Sequence, residues 1–214
     1  MLGYRIICLV MGYIFGLFPS GKIVGRIKHV DLSKEGSGNT GATNALRVTG
    51  VGGGVLTLLG DVLKAVIPVV LAYAFFHKQG NGIQTLMLYA GIGAFLGHCF
   101  PVTGGFAGGK GIACFLGVGL AVCARMVIVP LILFILLAVA TGYVSLASIA
   151  AVTAVAAESY VFAAAGLFRD TGAYRIELCI LFTILAAVAI YKHKDNIKRL
   201  RAGTENRFGH KKKA

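Results

Sequence analysis

Most familiar signatures of metal and redox chemistry are missing from this sequence. Five cysteines, Cys8, Cys99, Cys114, Cys123 and Cys179, include no CxxC pair and all lie in or beside apolar segments. They read as small hydrophobes rather than as a disulfide framework. The five histidines, His29, His77, His98, His193 and His210, are scattered without HExxH spacing, so neither a metal nor any other cofactor is expected. A P-loop is absent as well: Gly104 and "GGKG" at 108–111 have the spacing, but Gly111 stands where Ser or Thr would bind magnesium. No small-x-small cleavage site follows residues 1–18, so that apolar run is expected to stay as a first span. No internal repeat or low-complexity tract is evident. Acidic residues number only eight against 21 Lys and Arg, a formal net charge of +13.

What is abundant is apolar surface. Hydrophobic residues make up 57% of the 214, and the mean hydropathy is +0.81. A compact globule of this size cannot bury so much, and long apolar runs broken by short polar connections indicate a helical membrane protein. The basic residues are clustered: nine of the 21 follow from Lys192 onward, and five lie between Lys22 and Arg47. In so apolar a chain, basic loops beside anionic headgroups explain the charge, and no nucleic-acid partner is expected.

Apolar runs are predicted at 2–18, 51–76, 83–96, 112–141, 142–166 and 176–191. The 30 residues of 112–141 would make one helix of about 45 Å against a hydrocarbon core of about 30 Å, with Arg125 near its middle. Two short helices turning near Arg125, the second starting at Pro130, remove both difficulties. The fold expected is therefore an all-α integral membrane protein of seven transmembrane helices, some short, forming a single domain over residues 1–214. Seven spans place the polar inserts at about 19–50, 97–111 and 192–214 on one face. Those inserts collect most of the basic residues, whereas the opposite turns hold Lys78, Arg125, Arg169 and Arg175. The excess of positive charge puts the inserts and the C-terminus in the cytoplasm and the N-terminus outside.

Each insert carries groups suited to anions. "GSGNTGATN" offers glycines that allow close backbone approach, the polar side chains of Ser37, Asn39, Thr43 and Asn44, and then Arg47, whose planar fork suits phosphate. "GGKG" sets Gly108, Gly109, Lys110 and Gly111 at the start of an apolar helix, where free N–H groups and a positive dipole end favour phosphate. In "HKDNIKRLRAGTE", read as continuing the last helix, His193, Asn196 and Leu200 share a face, Arg199 and Arg201 lie elsewhere around the turn, and Glu205 follows. The terminal Lys211–Lys213 run adds only affinity for anionic lipid. His98 at a span end reads as a packing or capping histidine. Asp61 and Lys64, three apart within a span, are expected to pair, either structurally or as part of a site, and Glu158 has no evident partner. A transporter for a phosphorylated solute is the alternative reading, since glycine-rich segments and half-length helices occur there. It predicts a midplane site and repeats, which this sequence does not suggest.

"GSGNTGATNALRVTG", "GHCFPVTGGFAGGKGIA" and "HKDNIKRLRAGTE", with "PSG" at 19–21 and the Asp61–Lys64 spacing, resemble the motifs of the bacterial acyl-phosphate-dependent glycerol-3-phosphate acyltransferases, the PlsY family. The resemblance covers nearly the whole chain. It implies a multi-pass enzyme of the bacterial inner membrane with its active site on the cytoplasmic side. The implied reaction moves a fatty acyl group from acyl phosphate to the sn-1 hydroxyl of glycerol 3-phosphate. It would give lysophosphatidic acid and inorganic phosphate, the first step of bacterial phospholipid synthesis. On this reading Ser37, Arg47, Lys110, His193 and Asn196 are catalytic. Gly36, Gly38, Asn39, Thr43, Asn44, Gly108, Gly109, Gly111, Arg199 and Glu205 bind substrate. His193 or a substrate phosphate is the base. The expected partners are membrane lipids and the soluble phosphate acyltransferase that makes acyl phosphate. One departure is Ala107, where the family often has lysine. The HxxxxD motif of many acyl-CoA-dependent acyltransferases is absent.

Overall fold

The computed structural model describes residues 1–207; residues 208–214, with the lysine run 211–213, lie outside the described residues. All regular structure in the described part is helical: α1 (Leu2–Gly16), α2 (Ser20–Ile27), α3 (Ala42–Phe76), α4 (Ile83–Cys99), α5 (Ile112–Cys123), α6 (Ile128–Thr141), α7 (Val144–Ala164), α8 (Ala173–Lys192) and α9 (Lys194–Arg201). Six helical runs among the described residues are long and apolar enough to cross a membrane. One of these is 112–141, and it is broken: residues 124–127 form a 3₁₀ turn between α5 and α6. The break falls at Arg125 as the sequence predicts, although α6 starts at Ile128, two residues before Pro130.

Small residues set the packing of α1 on α4. A Cβ at Gly12 would lie 1.9 Å from the Ala90 carbonyl oxygen, and one at Gly93 would lie 2.1 Å from that of Leu9. Backbones this close gain dispersion contact where lipid supplies no hydrophobic drive between helices. Around that pair, α3 packs on α4 and α5, α7 on α6 and α8, and α8 on α4. α3 and the α6–α7 pair stand on opposite sides of a cavity floored by α5. Helix α3 itself turns at Gly50 (φ 77°, ψ −174°), so its first arm, 42–49, folds back until Leu46 Cβ would lie 2.6 Å from a Cβ at Gly54.

The tip of the α5–α6 hairpin is tied to the end of the bundle that holds the start of α4. Gln84 Nε2 donates to the Val122 carbonyl at 3.0 Å, and Arg125 donates to that of Leu167 at 3.3 Å. The other ends of both helices lie together: Gly111 begins α5 beside α4's C-terminus, and Arg207 Nε meets Tyr143 Oη at 3.1 Å just past α6. Asp170, fully buried, caps α4. Its oxygens accept from the backbone N–H of Gly82 (3.0 Å), Gln84 (3.2 Å) and Thr85 (2.8 Å), and from Thr85 Oγ1 (2.7 Å). Sequence reading saw only a polar turn here. Asp170→Ala is expected to cost about 3 kcal/mol, because it strands several buried donors at once; thermal unfolding of the detergent-solubilised chain measures it.

Candidate active site

The first wall is a loop organised by one amide. Asn44, 2% exposed, accepts the Ser37 N–H at 2.8 Å and donates to the carbonyls of Leu32 (3.1 Å) and Glu35 (3.0 Å). Gly36 has φ 63°, and a Cβ there would strike Asn44 Oδ1 at 2.4 Å. Asn39 Oδ1 accepts the Gly41 N–H at 3.0 Å, closing the turn that starts α3. The first arm of α3 then carries Arg47, whose guanidinium reaches Asn44 Oδ1 at 3.4 Å and has no other hydrogen-bond partner among the described residues. Asn44, expected to touch substrate, has its hydrogen bonds committed to the loop it shapes.

The second wall is pressed against the end of α4. A Cβ at Gly108 would lie 2.1 Å from the His98 carbonyl oxygen, one at Gly109 2.2 Å from His98 Nε2, and one at Gly111 (φ 78°) 2.3 Å from the Phe95 ring. These glycines are required by packing. Gly108 and Gly109 face a smaller cavity of about 50 Å³ behind the wall, as does Ala107, which therefore lies outside the main cavity. Lys192, which the sequence suggests is only the start of a polybasic tail, clamps this loop. Its ammonium donates to the carbonyls of Cys99 (3.0 Å) and Gly108 (3.2 Å) and sits 4.7 Å from the Phe100 ring centroid.

The third wall comes from the C-terminus. The last helix does not run through: α8 ends at Lys192, His193 (φ −96°, ψ 9°) is the joint, and α9 begins at Lys194. That joint turns both His193 and Asn196 inward. His193 Nδ1 lies 2.8 Å from the Ala189 carbonyl, so Nδ1 carries the proton and Nε2 presents a lone pair. Glu205, folding back, accepts from Asn196 Nδ2 and Arg199 Nε, each at 2.8 Å. Asn196 Oδ1 is buried and has no partner among the described residues.

These walls meet around one cavity of about 620 Å³. Ser37, Asn39, Thr43, Asn44, Arg47, Lys110, Gly111, His193, Asn196, Arg199 and Glu205 all line it, whereas Gly36 and Gly38 lie within the loop behind. Burial pushes Lys110 down to about 8; Glu205 and Asp195 act upward, Arg199 and Arg47 downward. Three cations thus converge on one polar end, where an anion would be held by charge-assisted bonds. Burial likewise pushes His193 down to about 4, its bond to Ala189 opposing and Lys110 reinforcing the shift. The histidine is therefore neutral at pH 7 but a weaker base than its ordinary value implies. Below the polar end the cavity is apolar, between Val55 and Leu58 of α3, Phe115 and Leu116 of α5, and Leu131 and Phe134 of α6. Val55, Leu58 and Leu131 are also on the outer surface, so this trough opens sideways. Sequence reading missed Ser145 at the start of α7, a cavity-lining serine whose Oγ is buried without a partner among the described residues. Nothing in the sequence separates it from the other serines of that span.

The comparisons with known proteins agree with this geometry. The pattern of the family "Glycerol-3-phosphate acyltransferase" matches residues 6–203. A glycerol-3-phosphate acyltransferase of Geobacter sulfurreducens is 41% identical over 95% of this chain and 97% of its own; one of Aquifex aeolicus is 36% identical over 94% and 97%. Among solved structures, the glycerol 3-phosphate form of PlsY (YgiH), an integral membrane glycerol 3-phosphate acyltransferase, superposes with a TM-score of 0.83 at 33% identity, covering 96% of both chains. Its lysophosphatidic acid form gives 0.81 at 33% identity, covering 96% of this chain and 95% of that one. A polar site at one end of the helices, joined to an apolar trough, suits an enzyme acting on lipid better than a transporter with a midplane site. The chain belongs to the glycerol-3-phosphate acyltransferase family.

Proposed function

We propose that this enzyme transfers a fatty acyl group from acyl phosphate to the sn-1 hydroxyl of glycerol 3-phosphate, releasing lysophosphatidic acid and inorganic phosphate. The observation that carries the reading is the continuity of the cavity: three cations, Arg47, Lys110 and Arg199, stand over an apolar trough. A phosphate head and an acyl tail need those two environments side by side. The solved relative with glycerol 3-phosphate supports the acceptor, and the one with lysophosphatidic acid supports the product.

In this mechanism the glycerol phosphate is held by Arg47, Lys110 and Arg199. Its hydroxyl donates to Asn196 Oδ1 or His193 Nε2, which turns the oxygen toward the acyl carbon. A C–O bond forms to that carbon, the acyl–phosphate C–O bond breaks, and phosphate departs with the electron pair. No covalent acyl-enzyme is needed, because phosphate is already a good leaving group. Ser37 and the neighbouring N–H groups stabilise the departing charge. With His193 at about 4, the departing phosphate is the better proton acceptor, and the histidine acts chiefly by orienting the hydroxyl. Gly111 and the N-terminus of α5 add a positive dipole end to the same region.

The excess of Lys and Arg in the three inserts supports an orientation with the site in the cytoplasm. The break between α5 and α6 supports counting them as separate passes, which makes seven crossings of a bacterial inner membrane from an outside N-terminus. The basic face around the cavity also suits delivery of acyl phosphate by a soluble phosphate acyltransferase.

The test is purified protein given labelled glycerol 3-phosphate with acyl phosphate or, in parallel, acyl-CoA. Lysophosphatidic acid is expected from acyl phosphate alone; product from acyl-CoA only would overturn the donor. His193→Ala is expected to reduce kcat about 100-fold, and any acid limb of wild-type kcat/KM at about pH 6 should follow the second ionisation of the substrate phosphate rather than the imidazole, which burial keeps neutral down to about pH 4.

A further inference from the structure

A charged cluster lies inside the bundle, behind the second wall and without a role in the mechanism above. The Lys64 ammonium is 2.8 Å from Asp61 Oδ1, 2.8 Å from His98 Nδ1 and 2.9 Å from the Phe18 carbonyl oxygen. The ammonium donates to the Phe18 carbonyl and to His98 Nδ1 and forms an ion pair with Asp61. The side chains of Lys64, Asp61 and His98 are only 5%, 3% and 8% exposed. Ions this deep among apolar helices carry a desolvation cost, which an apolar replacement of similar volume would avoid. Their retention calls for a task beyond stability.

The geometry supplies one. Lys64 donates to Nδ1, so His98 carries its ring proton on Nε2. That nitrogen faces Gly109 so closely that a Cβ there would sit 2.2 Å away, and the His98 carbonyl stands as close to Gly108. His98 is therefore the floor under the two residues preceding Lys110. Through Phe18 the same ammonium also holds the elbow between α1 and α2. There Gly21 lies so near Thr40 of the first insert that a Cβ would meet its carbonyl at 1.8 Å. Asp61 and His98 line both the main cavity and the small one, so the cluster forms the partition between them.

We propose that Asp61, Lys64 and His98 are positioning residues for Lys110: the ion pair fixes the imidazole, the imidazole fixes Gly108–Gly109, and that backbone aims the Lys110 ammonium into the cavity. Asp61 and Lys64 do not touch substrate in this arrangement. Their effect on catalysis passes through the second wall and rests on the acyltransferase reading, whereas their effect on Lys110 itself does not.

The test uses the full chain in detergent with His98→Ala, His98→Gln and Asp61→Asn. Lys110 is titrated directly by its acetylation rate with acetic anhydride across pH, read by mass spectrometry, and KM for glycerol 3-phosphate and kcat are measured alongside. Lys110 faces Glu205, Asp195, Arg199 and Arg47, which are unaltered in all three variants. In His98→Ala the loop loses its floor, so Lys110 becomes more exposed and its midpoint rises from about 8. KM is expected to rise at least tenfold while kcat falls less. His98→Gln, whose oxygen can accept from Lys64, should recover part of both, and Asp61→Asn should move both in the direction of His98→Ala. An unchanged Lys110 midpoint in His98→Ala and Asp61→Asn would overturn the proposal, whatever happens to the melting temperature. If His98→Ala fails to fold, Asp61→Asn decides by the same readout. The acetylation measurement needs no turnover, so it remains decisive even if the wild-type protein makes no lysophosphatidic acid.

Discussion

Lys110→Ala is expected to lower kcat/KM for glycerol 3-phosphate by about 100- to 1,000-fold, the scale of removing one preorganised charged donor from a water-poor site. The loss should exceed that of any surface lysine because Lys110 is pre-aimed by a backbone that cannot relax: Gly108, Gly109 and Gly111 all touch α4. A pH dependence goes with it. Burial holds Lys110 at about 8, below the ordinary amine value. The ammonium is thus present below pH 8 and lost as pH rises through it, so wild-type kcat/KM falls on the alkaline side with a midpoint near 8. A bound phosphate dianion favours the charged form, so the limb in kcat lies higher than the limb in kcat/KM. Lys110→Arg keeps its charge throughout, so the limb disappears while activity stays below wild type. Steady-state kinetics from pH 6 to 10 in a constant-ionic-strength buffer checks each point; a limb at the same pH in Lys110→Arg would assign it to another group.

Asn44→Ala is the second large effect, and it acts without touching the anion. One buried amide holds Ser37, Leu32 and Glu35 in register, and its removal leaves the Ser37 N–H and two carbonyls without their partner. We expect a loss of roughly 2–4 kcal/mol in stability and of at least 100-fold in kcat, because Ser37 loses its place. Asn44→Asp separates shape from hydrogen bonding. A carboxylate matches the amide in size but cannot donate to Leu32 and Glu35, and it would point an oxygen at each carbonyl. The aspartate should therefore be at least as damaging as alanine, despite its nearness in volume. Thermal unfolding and turnover measured on the same preparations test this; an aspartate variant with near-wild-type activity would remove Asn44 from its organising role.

The architecture was legible because membrane-spanning helices announce themselves by length and hydropathy, and because Arg125 in the middle of a 30-residue apolar run demanded a break. Spacing also located the walls of the cavity: "GSGNTGATN", "GGKG" and "HKDN" do meet. What spacing could not distinguish is contact with ligand from contact with the protein itself. Glycine permits both: Gly108 and Gly109, which spacing reads as phosphate contacts, also press against His98. Asn44 and Lys192 were ambiguous for the same reason, since a hydrogen-bonding side chain in a loop gives no sign of which carbonyls it will meet. The bend at His193 was invisible because no proline or glycine marks it. Asp170 went unnoticed because its partners, Gly82, Gln84 and Thr85, lie more than 80 residues away.

The sideways opening between α3 and the α6–α7 pair changes the energetics of handling a lipid. Moving a long acyl chain through water would cost about 0.8 kcal/mol per methylene, roughly 12 kcal/mol for fifteen of them. A trough walled by Val55, Leu58 and Leu131, themselves part of the outer apolar surface, lets the tail slide between protein and bilayer without that transfer. Only the phosphate head then needs to be exchanged with water, and the rate of release depends on how tightly three cations hold an anion rather than on the length of the chain. Turnover of long- and short-chain substrates should accordingly differ far less than their solubilities do.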